Sequence, residues 1–197
     1  MKTILAKVFR LLSLATIIVV LQACVSMASM DGATQSFGSR MSVSFPTGWN
    51  KLSIKMGAAE ILTREGITVD QMIVYSGIQE GTDLLPPSRM NPNRPKIIYK
   101  KVASPDQLQP LFQALMTGEG SQLTMERVAP VELDGRKAIR FEYGLIMKTT
   151  NARMQGIAVA TVDKDELFLV GFTAPRLVFF PRDKENFEKV LASVKIK

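Results

Sequence analysis

The stretch "LTMERVAPVELDGRKAIRFEYGLIM", residues 123–147, decides the reading of the fold. Asp134-Gly135 lies near its middle. Asp-Gly between two apolar-patterned runs signals a two-residue hairpin turn, because both central positions of that turn need positive φ. In the second run Ile139, Phe141 and Tyr143 point one way and Arg140 and Glu142 the other, the period of a strand. Two more runs follow, "MQGIAVATV" (154–162) and "ELFLVGFTA" (166–174), joined across Asp163-Lys164-Asp165. Both are apolar at nearly every residue, which predicts central strands covered on both faces. The second half of the chain therefore reads as a four-strand antiparallel meander.

Toward the C-terminus, Phe187, Val190, Leu191 and Val194 fall at i, i+3, i+4 and i+7, predicting a helix from about 183 to 194. Toward the N-terminus, Leu108, Leu111, Phe112 and Leu115 repeat that spacing after Ser104-Pro105-Asp106-Gln107, a capping serine with proline at the first helical position. Pro110 either kinks this helix or starts it, since proline donates no backbone bond in a helix interior. Gly118 is a plausible stop. Residues 78–101, "IQEGTDLLPPSRMNPNRPKIIYKK", hold four prolines and no sustained period, and read as a long loop with a short strand at "KIIYKK". Before them come strands at 41–45, 58–63 and 67–77. The order of strands, loop, helix, four strands and helix predicts an α+β domain, an antiparallel sheet packed with two helices.

The N-terminus carries an address. Lys2, Lys7 and Arg10 precede an apolar run, Leu11 to Leu21, the basic and hydrophobic regions of a secretory signal. A spanning helix needs about 20 apolar residues, and this run is shorter. It ends at Leu21-Gln22-Ala23-Cys24, which resembles the bacterial lipobox. The resemblance implies a diacylglyceryl thioether on Cys24, cleavage after Ala23 and acylation of the new terminus. Two or more acyl chains anchor stably where one is marginal. An ordinary signal peptide cut after Ser26-Met27-Ala28 is the alternative. Val25 rather than Asp follows the cysteine, which in the enterobacterial scheme permits export to the outer membrane. Residues 24–40 are small and polar and read as a lipidated cysteine with a flexible tether, about 20–24 Å in mean reach. The domain organisation is then signal 1–23, tether 24–40 and a single domain 41–197.

Composition narrows the chemistry. Removing residues 1–23 takes three of the 25 basic residues and none of the 18 acids, leaving 22 against 18, a net charge of +4. That mild balance does not point to nucleic acid. The one cysteine is the lipidation site, so the sequence predicts no internal disulfide. There is no histidine, which removes Ser-His-Asp and Cys-His nucleophiles, histidine zinc sites and the commonest general base. No catalytic residue, metal or cofactor is predicted.

"FPTGW" at 45–49, the mid-chain helix, "DGRKAIRFEY" in the meander, "LFLVGFTAP" at 167–175 and the last helix ending "VLASVKI" resemble the PsbP/DcrB-like α/β sandwich over roughly residues 40–197. That group includes photosystem II extrinsic subunits and bacterial envelope lipoproteins. The resemblance implies binding or assembly with other proteins and no shared active site. Fold alone does not carry function.

Several residues have two readings. Trp49 after the Pro-Gly turn caps the core edge or stacks on a ligand, and the former is expected. The eleven methionines fill the core or suggest copper or an adaptable groove. They do not cluster in sequence, and core filling is expected. Asp163, Asp165 and Glu166 read as a hairpin turn rather than a cation site, since the spacing lacks a calcium loop. Arg89, Arg94, Lys96, Lys100 and Lys101 lie within thirteen residues that contain no acid, beside Leu84-Leu85. They are the predicted contact for an acidic partner or anionic lipid, against the simpler reading of a solvated loop.

The expected function is a lipid-anchored, non-enzymatic binding or assembly module of the bacterial cell envelope. It would face the periplasm, sit on the outer membrane and have an envelope protein as partner. An anionic-lipid or glycolipid binder using loop 78–101 and a histidine-free hydrolase are the alternatives.

Overall fold

Asp134 and Gly135 adopt φ values of 49° and 73°, the left-handed pair a two-residue hairpin demands. They join β7 (Gln122–Leu133) to β8 (Arg136–Ile146). In the computed structural model, which describes residues 26–85 and 94–197, the meander continues through β9 (Arg153–Asp163) and β10 (Glu166–Pro175). Lys164 and Asp165, at φ 53° and 66°, make the second such turn.

Three earlier strands complete this part of the sheet: β4 (Asn50–Met56), β5 (Ala59–Thr63) and β6 (Gln71–Ile78). With β1 (Met27–Ser29) at one edge, the eight strands run in the order β1-β4-β5-β6-β10-β9-β8-β7. Every neighbouring pair is antiparallel. A second sheet, in the order β11-β3-β2, is built from β2 (Thr34–Phe37), β3 (Met41–Ser44) and β11 (Lys195–Ile196).

The expected α+β architecture holds: an antiparallel sheet of eight strands with two helices. One turn of 3-10 helix (Pro105–Leu108) leads into α1 (Gln109–Thr117). Pro110 lies in the first turn of α1, where its missing N–H costs no intrahelical bond, so it starts the helix rather than kinking it. The second helix, α2 (Phe179–Ala192), begins earlier than expected. Pro181 fits its first turn for the same reason.

Each helix covers one face of the large sheet. Central strands feed both cores alternately: Ile157 and Val159 face the side of α2 and the small sheet, while Ala158 and Ala160 face α1. That is the two-sided burial read from their unbroken apolar sequence. On the α2 side Trp49 packs edge-on to Phe172 at 5.7 Å, and Phe172 stacks on Phe187 at 5.4 Å. On the other side Phe112 of α1 stacks on Phe141 at 4.5 Å.

Residues 26–40 correct the tether boundary. They carry β1 and β2, and Met30 and Phe37 are buried in the α2-side core. Their polar composition hid a segment held by backbone bonds, Met30 N to Trp49 O at 2.8 Å and Gly32 N to Phe45 O at 3.0 Å. The strand expected from 67 starts at Gln71. Residues before it form a turn around buried Asp70, whose carboxylate accepts the Thr63 hydroxyl at 2.6 Å and the Glu65 N–H at 2.9 Å.

Candidate functional site

The α1 side of the sheet is not fully covered. Met116 in the last turn of α1, Met147 just after β8 and Met56 at the end of β4 border a groove of about 220 Å³. Ile73, Tyr75 and Leu145 also line it. Leu85 reaches over the end of α1 because position 118 is glycine: a Cβ there would sit 2.8 Å from the Leu85 methyl. The methionines expected to be scattered core filler therefore gather in part at one opening. Thioether side chains are flexible and polarisable and fit irregular apolar surfaces.

The hydroxyl and amide groups around this groove are bonded within the protein, while the Glu119 carboxylate on its lining is 56% exposed and 4.0 Å from Arg94 Nε. The Tyr75 hydroxyl donates to Leu84 O at 3.1 Å, and Gln71 Nε2 donates to Ile67 O at 2.7 Å. Thr173 Oγ1 shares a 2.7 Å hydrogen bond with the Tyr143 hydroxyl, and Ser121 Oγ accepts the Lys148 N–H at 3.2 Å. Burial raises the Tyr75 phenol well above its ordinary value, and the Asp83 carboxylate adds to the effect. Burial likewise pushes Tyr143 up to about 12, against the opposing bond from Thr173. Both phenols stay neutral at physiological pH. This lining presents apolar surface to an occupant, with its hydroxyls already engaged.

The predicted loop contact does not form as one patch. The described ends of loop 78–101 pair with each other: Gly81 N to Tyr99 O at 2.9 Å, Leu84 N to Ile97 O at 2.9 Å and Tyr99 N to Thr82 O at 3.0 Å. Leu84 and Tyr99 are fully buried. Arg94, expected at the surface, is buried, which corrects its place in the contact. Its guanidinium donates to Pro95 O at 3.0 Å and lies 3.8 Å from Asp83 and 4.0 Å from Glu119. Lys96, Lys100 and Lys101 are exposed, and Lys101 Nζ donates to Asp165 Oδ2 at 2.6 Å. Arg89 and Cys24 lie outside the described residues.

Asp163, Asp165 and Glu166 do not converge. Asp163 and Glu166 both hold Arg40, Asp163 also meets Arg136 at 3.0 Å, and Asp165 takes Lys101. Nearby, Asp134 accepts the Ile196 N–H at 2.8 Å and Lys195 Nζ at 3.1 Å, fastening the C-terminal strand to the first hairpin. Among the described residues no group of three or more His, Cys, Asp or Glu side chains could hold a metal ion. Trp49 is buried, with its indole N–H donating to Asn186 Oδ1 at 2.8 Å, and so caps the core.

No family model matches the sequence, and no curated protein does. Among solved structures the chain is similar to the solution structure of cyanobacterial PsbP (CyanoP) from Synechocystis sp. PCC 6803. The TM-score is 0.57 at 14% identity, over 90% of this chain and 96% of that one. The fold is PsbP-like. A Bacteroides thetaiotaomicron protein (TM-score 0.48, 11% identity, 82% of this chain and 47% of that one) is more distant. So is a Pseudomonas aeruginosa protein of unknown function (TM-score 0.44, 6% identity, 82% and 94%). At these identities the likeness speaks for fold alone. No helix among the described residues is long and apolar enough to cross a membrane.

Proposed function

We propose that this chain is a non-enzymatic binding or assembly module of the bacterial cell envelope. It would be held by acyl groups on Cys24, face the periplasm, sit on the outer membrane and take an envelope protein as partner. The observation that carries the binding half is the methionine-bordered groove on the α1 side. An apolar side chain or short segment of a partner protein fits its size and lining. The engaged hydroxyls around it favour uptake over chemistry. The anchor half rests on Leu21-Gln22-Ala23-Cys24 directly after a signal-type run.

The test places a photoreactive side chain at position 116 in growing cells, with a second site at position 187 inside the closed core. The reading predicts one reproducible envelope-protein adduct at 116, lost when Met147→Lys is added, and none at 187. No adduct at 116, or one indifferent to Met147→Lys, contradicts it. Mass spectrometry of the mature terminus tests the anchor. A diacylglyceryl Cys24 is expected, and an unmodified terminus at Ser29 overturns that half.

A further inference from the structure

Leu177 and Val178, between β10 and α2, are 88% and 61% exposed. They are the most exposed large apolar side chains among the described residues. The surrounding sequence "PRLVFFPR" (175–182) carries two arginines and no acid. The neighbouring turn, "MKTTNARM" (147–154), carries Lys148 and Arg153 and again no acid. The Arg176 N–H donates to Arg153 O at 3.1 Å, so the two segments lie side by side. Arg153, Arg176, Leu177 and Val178 rim an open concavity of about 610 Å³.

Ion pairing leaves much of this charge available. Arg153 and Lys148 make no ion pair among the described residues. Arg176 is 56% exposed and only 3.9 Å from Glu126. Arg182 is the exception, bonded to Glu65 and Asp183 and stacked over Phe179. Exposed aliphatic side chains flanked by Lys148, Arg153 and the loosely paired Arg176 match an anionic bilayer surface. The apolar tips enter the acyl boundary and the cations meet headgroup phosphates.

We infer that the end of the sheet bearing Leu177 and Val178 faces the membrane, with these two side chains in the bilayer interface and Lys148, Arg153 and Arg176 on anionic headgroups. Ser29 is level with Thr173 through Asn50, Thr63 and Gln71, and β1 runs toward that end of the sheet. The chain before Met27 therefore leads away from the tip, with Ser26 O accepting the Ser53 N–H at 3.0 Å. The inference rests on the exposed tip and its cations and not on the anchor reading.

The test is a Leu177→Trp variant of the protein as the cell matures it. The native Trp49 is buried and reports an intact fold. Emission is followed with vesicles of phosphatidylglycerol and of phosphatidylcholine, with brominated acyl chains as quencher. The expected result is a blue shift and quenching on phosphatidylglycerol, weakened by salt and much smaller on phosphatidylcholine. Arg153→Gln and Arg176→Gln should each lower anionic partitioning about fivefold. Unchanged emission on phosphatidylglycerol, as an acidic protein partner for this tip would give, overturns the inference. So does an equal, salt-insensitive shift on both lipids. Mass spectrometry scores the acyl group separately, so loss of the anchor and loss of the tip contact are distinguishable.

Discussion

The two faces of the large sheet are built from different materials. On the α2 side, rings lock together: Trp49, Phe172, Phe180 and Phe187 are all buried, and Phe172 touches the other three. On the α1 side Phe112 meets Phe141 and Tyr143 beneath the helix, and Tyr75 and Tyr99 are buried beyond it without a ring partner among the described residues. Toward the end of α1 the core gives way to methionine and an open groove. Rigid rings fill space in fixed geometry, while thioethers adjust to what enters. On the proposed reading, stability belongs to one face and recognition to the other.

The largest expected effect tests that assignment. Phe172→Ala should cost about 3–5 kcal/mol, as deletion of a buried ring usually does, measured by denaturant unfolding. Met116→Ala, at a half-buried rim, should cost no more than about 1 kcal/mol while abolishing partner capture. Comparable losses of stability would erase the distinction between the faces.

A second substitution probes the floor between them. Gly156 leaves the space that the Tyr143 ring occupies; a Cβ there would overlap its hydroxyl-bearing end. Gly156→Val should destabilise by about 3 kcal/mol and break the Tyr143–Thr173 bond. A native-like melting profile would mean that Tyr143 can turn away freely.

Acid sharpens the comparison at the sheet's other end. The backbone N–H of Ile196 holds the Asp134 carboxyl below its ordinary value; burial opposes this, and Lys195 and Arg136 assist. A depressed folded value means the contribution is complete above the unfolded pKa, about 3.9, and is lost as pH falls through the folded value. Asp134→Asn keeps an acceptor for Ile196 and should flatten the acid limb of the stability curve below about pH 4. An unchanged acid limb would show that the C-terminal strand is held by other contacts. The smallest effect belongs to Lys101, whose pair with Asp165 is exposed and screened by water, so Lys101→Ala should leave the melting temperature nearly unchanged.

Strands β7 to β10 were legible because local signals agreed: period two in β8, unbroken apolar runs in β9 and β10, and turn chemistry at Asp134-Gly135 and Asp163-Lys164-Asp165. β4 escaped because only Leu52 of its seven residues is buried, so no alternation marks it. Residues 26–40 escaped because backbone pairing leaves little trace in side-chain pattern. The basic loop misled at Arg94, since Asp83 and Glu119, which lie against it, come from outside the acid-free window. Gly81 adopts φ 83°, and its N–H donates to Tyr99 O across the loop. The groove had no local signature, because Met56, Met116 and Met147 belong to different elements and meet only through the fold.

Methionine footprinting tests the central claim most directly. Dilute peroxide is applied to the purified protein and to intact envelopes, and each sulfoxide is read by mass spectrometry. Met41 and Met72, on the closed face at 1% and 0% exposure, should resist in both. Met116 and Met147 should oxidise in the purified protein and be protected in the envelope, where a partner occupies the groove. Equal oxidation of Met116 and Met147 in both settings would contradict the account.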